Sequence, residues 1–107
     1  MTELKGRGYA GKVLYLDLPG GERRAEDLRE EEAKLFLGGK GLGARILYRN
    51  LRPGVDPLSP ANILIFATSP LTGTIAPTAN RFCVITKSPL TGTFLDSHCG
   101  GPFGVGL

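Results

Sequence analysis

A chain of 107 residues carries one domain at most, with room for a modest core. With 41% hydrophobic residues, 21% charged residues, 16 Gly and 8 Pro it is globular and turn-rich, which argues against disorder and against a helical bundle. The net charge of +3 is weak support for an anionic partner, and its distribution says more: residues 1–52 hold 11 Lys/Arg and 8 Asp/Glu, whereas residues 53–107 hold only Asp56, Arg81, Lys87 and Asp96.

A half so poor in charge cannot form a normally solvated surface, so much of it is expected to be covered by the other half, by a ligand or by further protein. The N-terminus has no apolar run of signal-peptide type, and no stretch is long enough for a membrane span, so a cytoplasmic protein is expected. Cys83 and Cys99 fit no close metal-binding spacing and are expected to be free thiols, Cys83 within the core.

In chain order, residues 11–18 alternate imperfectly, with Leu14, Leu16 and Leu18 on one face and Val13, Tyr15 and Asp17 on the other, which predicts a strand. Pro-Gly-Gly at 19–21 predicts a turn, and residues 22–25 a second strand closing a hairpin. From Asp27 the spacing turns helical. Asp27 and Glu30 resemble a capping box, Ala33, Phe36 and Leu37 share a face, and Gly38 stops the helix. A second helix is predicted over roughly 42–50, with Leu42, Ile46, Leu47 and Leu51 as its apolar face and Pro53 as its end. The intervening Gly38-Gly-Lys-Gly-Leu-Gly43 has neither the dinucleotide nor the P-loop spacing and follows a helix, so it reads as a tight helix-to-helix turn; N–H groups at the start of the second helix remain available in principle to an anion.

Two β-branched runs follow a Pro-rich connection, at 62–68 and 81–87, and each leads into the same hexapeptide, Ser-Pro-Leu-Thr-Gly-Thr, at 69–74 and again at 88–93. Ser-Pro opens a turn and Gly permits the positive φ that ends one, so each copy alone reads as a strand-end turn. Stacked on neighbouring strands, the two turns would bring the segments after them, 76–81 and 96–101, to one side of a sheet, where paired loops often hold a ligand.

Within those segments Arg81 is the one Arg of the charge-poor half, beside Asn80. It needs a counter-anion or full exposure, and two readings stand: a pair with Asp56 or Asp96, or a bidentate contact to a phosphate or polar heterocycle. His98 and Cys99 are neighbours and would point to opposite faces of a strand, so no nucleophile pair or zinc site is assembled from them, and no catalytic residue or metal ligand is assigned. The chain stops in a glycine-rich segment, and a domain incomplete at its C-terminal end is expected.

These segments closely resemble one family. The runs GRGYAGKVLYLDL (6–18), AKLFLGGKGLGARIL (33–47), PGVDPLSP (53–60), LIFATSPLTGT (64–74), NR (80–81), VITKSPLTGT (84–93) and GGPFG (100–104) resemble, in order and almost without gaps, the N-terminus of the aldehyde ferredoxin oxidoreductases. The doubled SPLTGT is the most specific part. The resemblance implies an α+β fold: a β-rich N-terminal domain of two largely antiparallel sheets with two short helices, spanning residues 1–107, on which a tungsten (possibly molybdenum) bis-pterin cofactor lies.

It also implies a larger enzyme that oxidises aldehydes to carboxylic acids and passes electrons through a 4Fe–4S cluster to ferredoxin, the cluster and the acid–base residues lying in further polypeptide or a second subunit. The doubled loop would then echo a cofactor of two like halves. Arg81 matches the arginine that contacts the pterin, with Asn80 beside it, and the Gly100–Gly101 doublet matches a backbone contact to the cofactor. His98 stands where the family has an Asn holding Mg²⁺ between the cofactor phosphates. A histidine nitrogen suits that hard ion poorly, so a Mg²⁺ site is doubtful here, and a hydrogen bond donated by His98 to a phosphate or pterin replaces it. The alternatives are a relative in the same superfamily acting on another substrate, or a free-standing binding or scaffolding module. Nucleic-acid binding is disfavoured, because the basic residues alternate with acids and form no stripe.

Overall fold

The computed structural model describes residues 8–107; the first seven residues, including the start of the family-like run at Gly6, lie outside the described residues. The element order is β1 (Lys12–Asp17), β2 (Glu22–Asp27), α1 (Glu30–Phe36), α2 (Gly39–Asn50), β3 (Ile65–Ala67), β4 (Phe82–Lys87), β5 (Phe94–Cys99) and a one-turn α3 (Phe103–Gly106). Strands β1 and β2 form an antiparallel hairpin, and β3-β4-β5 form a second antiparallel sheet in that order. The expected two-sheet α+β architecture is therefore present, with a third short helix added. Among the described residues no helix is long and apolar enough to cross a membrane.

The apolar stripe of α2 explains the assembly. Leu42 and Ile46 face a core shared with Leu28 and Ala33, against which Tyr9 and Val13 pack; Leu47, on an adjacent part of the helix, meets Cys83 and Ile85. Ile65 touches both clusters and joins them. Cys83 is 2% exposed, as expected for a core residue, and burial pushes its thiol pKa up.

Three local expectations change. Asp27 does not cap α1: it is the last residue of β2, its carboxylate takes Lys12 at 2.9 Å, and α1 begins at Glu30 without a side-chain cap. The pairing of Asp27 with Lys12 extends the hairpin by two residues and displaces the capping box; three glutamates in the first turn still suit the helix dipole. The stretch 38–43 is mostly the first turns of α2, not a turn between helices. Its glycines serve close approach: a Cβ on Gly38 would lie 2.9 Å from Pro70 Cδ, 3.0 Å from Ser69 Cα and 3.0 Å from the Thr68 carbonyl oxygen. The Gly39 N–H donates to the Thr68 carbonyl at 2.8 Å, so this amide is not free for an anion.

The third change concerns β1. Its packed face is Val13 and Tyr15, while Leu14, Leu16 and Leu18 are 60%, 61% and 86% exposed. Uncovered apolar surface is thus not confined to the charge-poor half, where Phe66, Leu71 and Phe103 are also exposed. The 107-residue chain is expected to self-associate and bind a hydrophobic dye; a monodisperse monomer in light scattering with no dye binding would contradict this.

Candidate functional site

The two SPLTGT loops share their internal chemistry. In the first, Ser69 Oγ accepts from the Leu71 N–H at 3.2 Å and Gly73 has φ +80°. In the second, Ser88 Oγ accepts from the N–H groups of Leu90 at 3.2 Å and Thr91 at 3.3 Å, and Gly92 has φ +72°. Both are serine-initiated turns ended by a left-handed glycine.

Their placement differs from the expected stack. Because β3 and β4 are antiparallel, with Ala67 opposite Cys83, the first loop leaves the sheet where β4 begins. The second joins β4 to β5 as a hairpin at the far end, where Lys87 opposes Phe94 and the Ser88 N–H donates to the Thr93 carbonyl at 2.8 Å. The loops therefore lie at opposite ends of the sheet and do not together cradle one ligand. The segments following them still meet, since β5 returns antiparallel: Phe82 opposes Cys99, which sets residues 80–81 beside 100–101.

At this shared end, Asn80 Oδ1 lies 4.0 Å from where a Cβ on Gly100 would stand, and Gly101 has φ +101°, a conformation that favours glycine. Residues 76–81 are pinned to the first loop: Gly73 N–H donates to the Ala79 carbonyl at 2.7 Å, and Thr72 Oγ1 donates to the Arg81 carbonyl at 3.1 Å. Between them opens a shallow cleft of about 290 Å³ bounded by Ser69, Thr72, Pro77, Thr78 and Arg81. Thr78, at φ +57°, is one of two non-glycine residues in the left-handed region among the described residues. Helix α3 closes the end from the other side, where Gly104 is buried against Thr72 and Phe82, and the Phe103 ring packs 4.8 Å from that of Phe82.

Neither expected counter-anion reaches Arg81. Asp56 accepts from the Leu58 N–H at 3.0 Å within its own turn. Asp96 binds His98 Nε2 through Oδ2 at 3.0 Å and Lys40 Nζ through Oδ1 at 3.5 Å. Among the described residues Arg81, exposed on the surface, has no carboxylate oxygen within 4.0 Å. His98 donates the hydrogen bond that holds the Asp96 carboxyl below its ordinary pKa, opposed by partial burial and aided by Lys40.

On β5 His98 and Cys99 alternate, as expected for a strand: His98 opposes Cys83 on the α2 side, Cys99 opposes Phe82 on the other, and both cysteines are free. Among the described residues no group of three or more His, Cys, Asp or Glu could hold a metal ion. Sequence reading considered Asp96 only as a partner of Arg81 and missed its pairing with His98 and Lys40. The i, i+2 spacing of Asp96 and His98 on a strand was a usable signal; Lys40 comes from α2 and left none.

The class this defines is a small α+β domain of two antiparallel sheets with a cation and bare backbone at one sheet end. The sequence profile described as "Aldehyde ferredoxin oxidoreductase, N-terminal domain" matches residues 13–107. Over 100 residues the chain is 52% identical to the tungsten-containing aldehyde ferredoxin oxidoreductase of Pyrococcus abyssi and 51% identical to that of Pyrococcus horikoshii, covering 94% of this chain in both cases. A solved structure, the active-site complex BamBC of benzoyl coenzyme A reductase with 1,5-dienoyl-CoA, superposes with a TM-score of 0.89 at 38% identity, over 92% of this chain and 15% of that one. The chain belongs to the aldehyde ferredoxin oxidoreductase N-terminal domain family, a family of oxidoreductases. It spans 16% of the length of the two Pyrococcus relatives.

Proposed function

We propose that residues 1–107 are the N-terminal metallopterin-binding part of a cytoplasmic enzyme that oxidises aldehydes to carboxylic acids with ferredoxin as electron acceptor. The observation that carries this reading is Arg81: the one arginine of the charge-poor half has no carboxylate partner among the described residues, beside a glycine doublet that leaves the backbone bare. Such a donor set suits an anionic, planar group of the kind a tungsten bis-pterin cofactor presents.

In this reading Arg81 binds a cofactor phosphate or pterin edge, Asn80 adds an amide hydrogen bond, Gly100 and Gly101 let the cofactor approach the main chain, and His98 contacts it from the α2 side. Magnesium between the phosphates is left out, since His98 offers nitrogen to an oxygen-preferring ion. The bound cofactor supplies the redox chemistry, and these residues bind and orient it. The 4Fe–4S cluster, the acid–base residues and the ferredoxin contact belong to further polypeptide, as do the covers of the exposed apolar faces. Neither nucleic acid nor membrane is a partner.

A second reading, a relative of the same superfamily with another substrate, has the benzoyl-CoA reductase similarity behind it; the higher identity to the aldehyde enzymes, 52% against 38%, favours the first. The test is an anaerobic assay of the full-length protein with purified ferredoxin. Aldehyde-dependent ferredoxin reduction by protein carrying tungsten and pterin is expected. Protein without metal or pterin, or one that turns over a coenzyme A thioester and no aldehyde, would contradict it.

A further inference from the structure

We propose that Asp96 is a positioning residue that fixes the ring of His98, so that the ring offers Nδ1 as a hydrogen-bond acceptor to a bound metallopterin. The group His98 takes is then a donor, an amide N–H or amino group of the heterocycle, and not a phosphate oxygen. This rests on the reading of this sheet end as a metallopterin site, and it reverses the donor role expected of His98 in place of the family's Mg²⁺-holding Asn.

The geometry is specific. A carboxylate can only accept, so the 3.0 Å contact between His98 Nε2 and Asp96 Oδ2 puts the proton of the neutral ring on Nε2 and leaves Nδ1 as a lone-pair acceptor. The carboxylate cannot turn away freely, because its other oxygen, Oδ1, holds Lys40 Nζ at 3.5 Å, and Lys40 stands on α2, whose start is tied to Thr68 through the Gly39 N–H. Asp96 is the less exposed member of the cluster, at 25% against 50% for His98 and 60% for Lys40, so the ring is open to a ligand while its anchor is sheltered. Among the described residues no protein group bonds Nδ1. A phosphate oxygen there would face the Nδ1 lone pair and would stand near a second anion, the Asp96 carboxylate, whereas a heterocycle N–H meets an acceptor.

The test uses the full-length protein with 15N-labelled histidine, the His98 ring signals being assigned by difference with His98→Gln. Wild type, free of cofactor, is expected to show the Nε2–H form, and Asp96→Ala a mixture of both ring forms. Asp96→Ala is expected to retain roughly three- to tenfold less pterin per polypeptide after dialysis, while Asp96→Asn, whose amide oxygen still accepts from Nε2, recovers most of it. Ring signals unchanged in Asp96→Ala, or pterin retention unchanged in that variant, would each overturn the proposal. The parallel variant Arg81→Ala separates the two readings: if it retains full pterin the site itself is wrong, and if it loses pterin while Asp96→Ala does not, only the positioning role falls.

Discussion

Arg81→Ala in the full-length protein is expected to weaken metallopterin retention roughly ten- to hundredfold while the polypeptide stays folded. The magnitude follows from removing a charge-assisted, potentially bidentate donor to an anionic group, worth about 1.5–3 kcal/mol, with each 1.4 kcal/mol a factor of ten. Folding is expected to survive because the side chain is exposed and has no ion-pair partner among the described residues; the residue's structural contact is its carbonyl, which accepts from Thr72 Oγ1 and is kept by alanine. Tungsten and pterin are measured per polypeptide, alongside circular dichroism. Arg81→Lys is expected to restore only part of the retention, because an ammonium keeps the charge but not the planar fork. Metal and pterin content equal to wild type in Arg81→Ala would refute the assignment.

Gly38→Ala is expected to cost about 1–3 kcal/mol of stability, the usual range for overpacking. Two of the three atoms that a Cβ would meet within 3.0 Å, Ser69 Cα and the Thr68 carbonyl oxygen, belong to backbone and cannot step aside by changing rotamer. The third, Pro70 Cδ, is held in a ring. The first SPLTGT loop would have to move away from the start of α2, loosening the Gly39 to Thr68 hydrogen bond and, through the first loop, the 76–81 segment. Gly106→Ala is the matched control, since nothing lies within 4 Å of its added methyl and its φ is not in the left-handed region. Denaturant midpoints of the two variants are compared with wild type; equal stability of Gly38→Ala and Gly106→Ala would show that the close approach is unimportant.

Much of this fold was legible in residue order because the signals are local. The period-two and helical spacings of 11–18 and 42–51 place β1 and the buried stripe of α2, and the chemistry of Ser-Pro and Thr-Gly predicts both turns whatever surrounds them. Where the reading failed, a competing contact decided. Lys12 drew Asp27 into the hairpin and away from capping, and the close passage of residues 68–70 turned the 38–43 glycines from a supposed turn into a packed helix start. Which face of β1 is buried was not decidable from alternation, as Leu14 and Leu16 look more apolar than the packed Val13 and Tyr15.

The candidate site divides in the same way. Arg81, with Asn80 beside it, could be singled out by residue type against a background almost free of charge, whereas His98 and the Gly100–Gly101 doublet were pointed to by the family resemblance alone; Asp96 shares a strand face with His98 by simple alternation. Strand direction could not be read, because identical loops on successive strands are compatible with parallel or antiparallel pairing; the antiparallel β3-β4-β5 order sends the two SPLTGT loops to opposite ends and brings residues 80–81 and 100–101 together. Only the packing of α2 on that sheet could show that Asp96 is held by Lys40, 56 positions earlier, so that Arg81 is left without it. A side chain's type is written in the sequence, but its partner is chosen by the contacts that tertiary packing makes available.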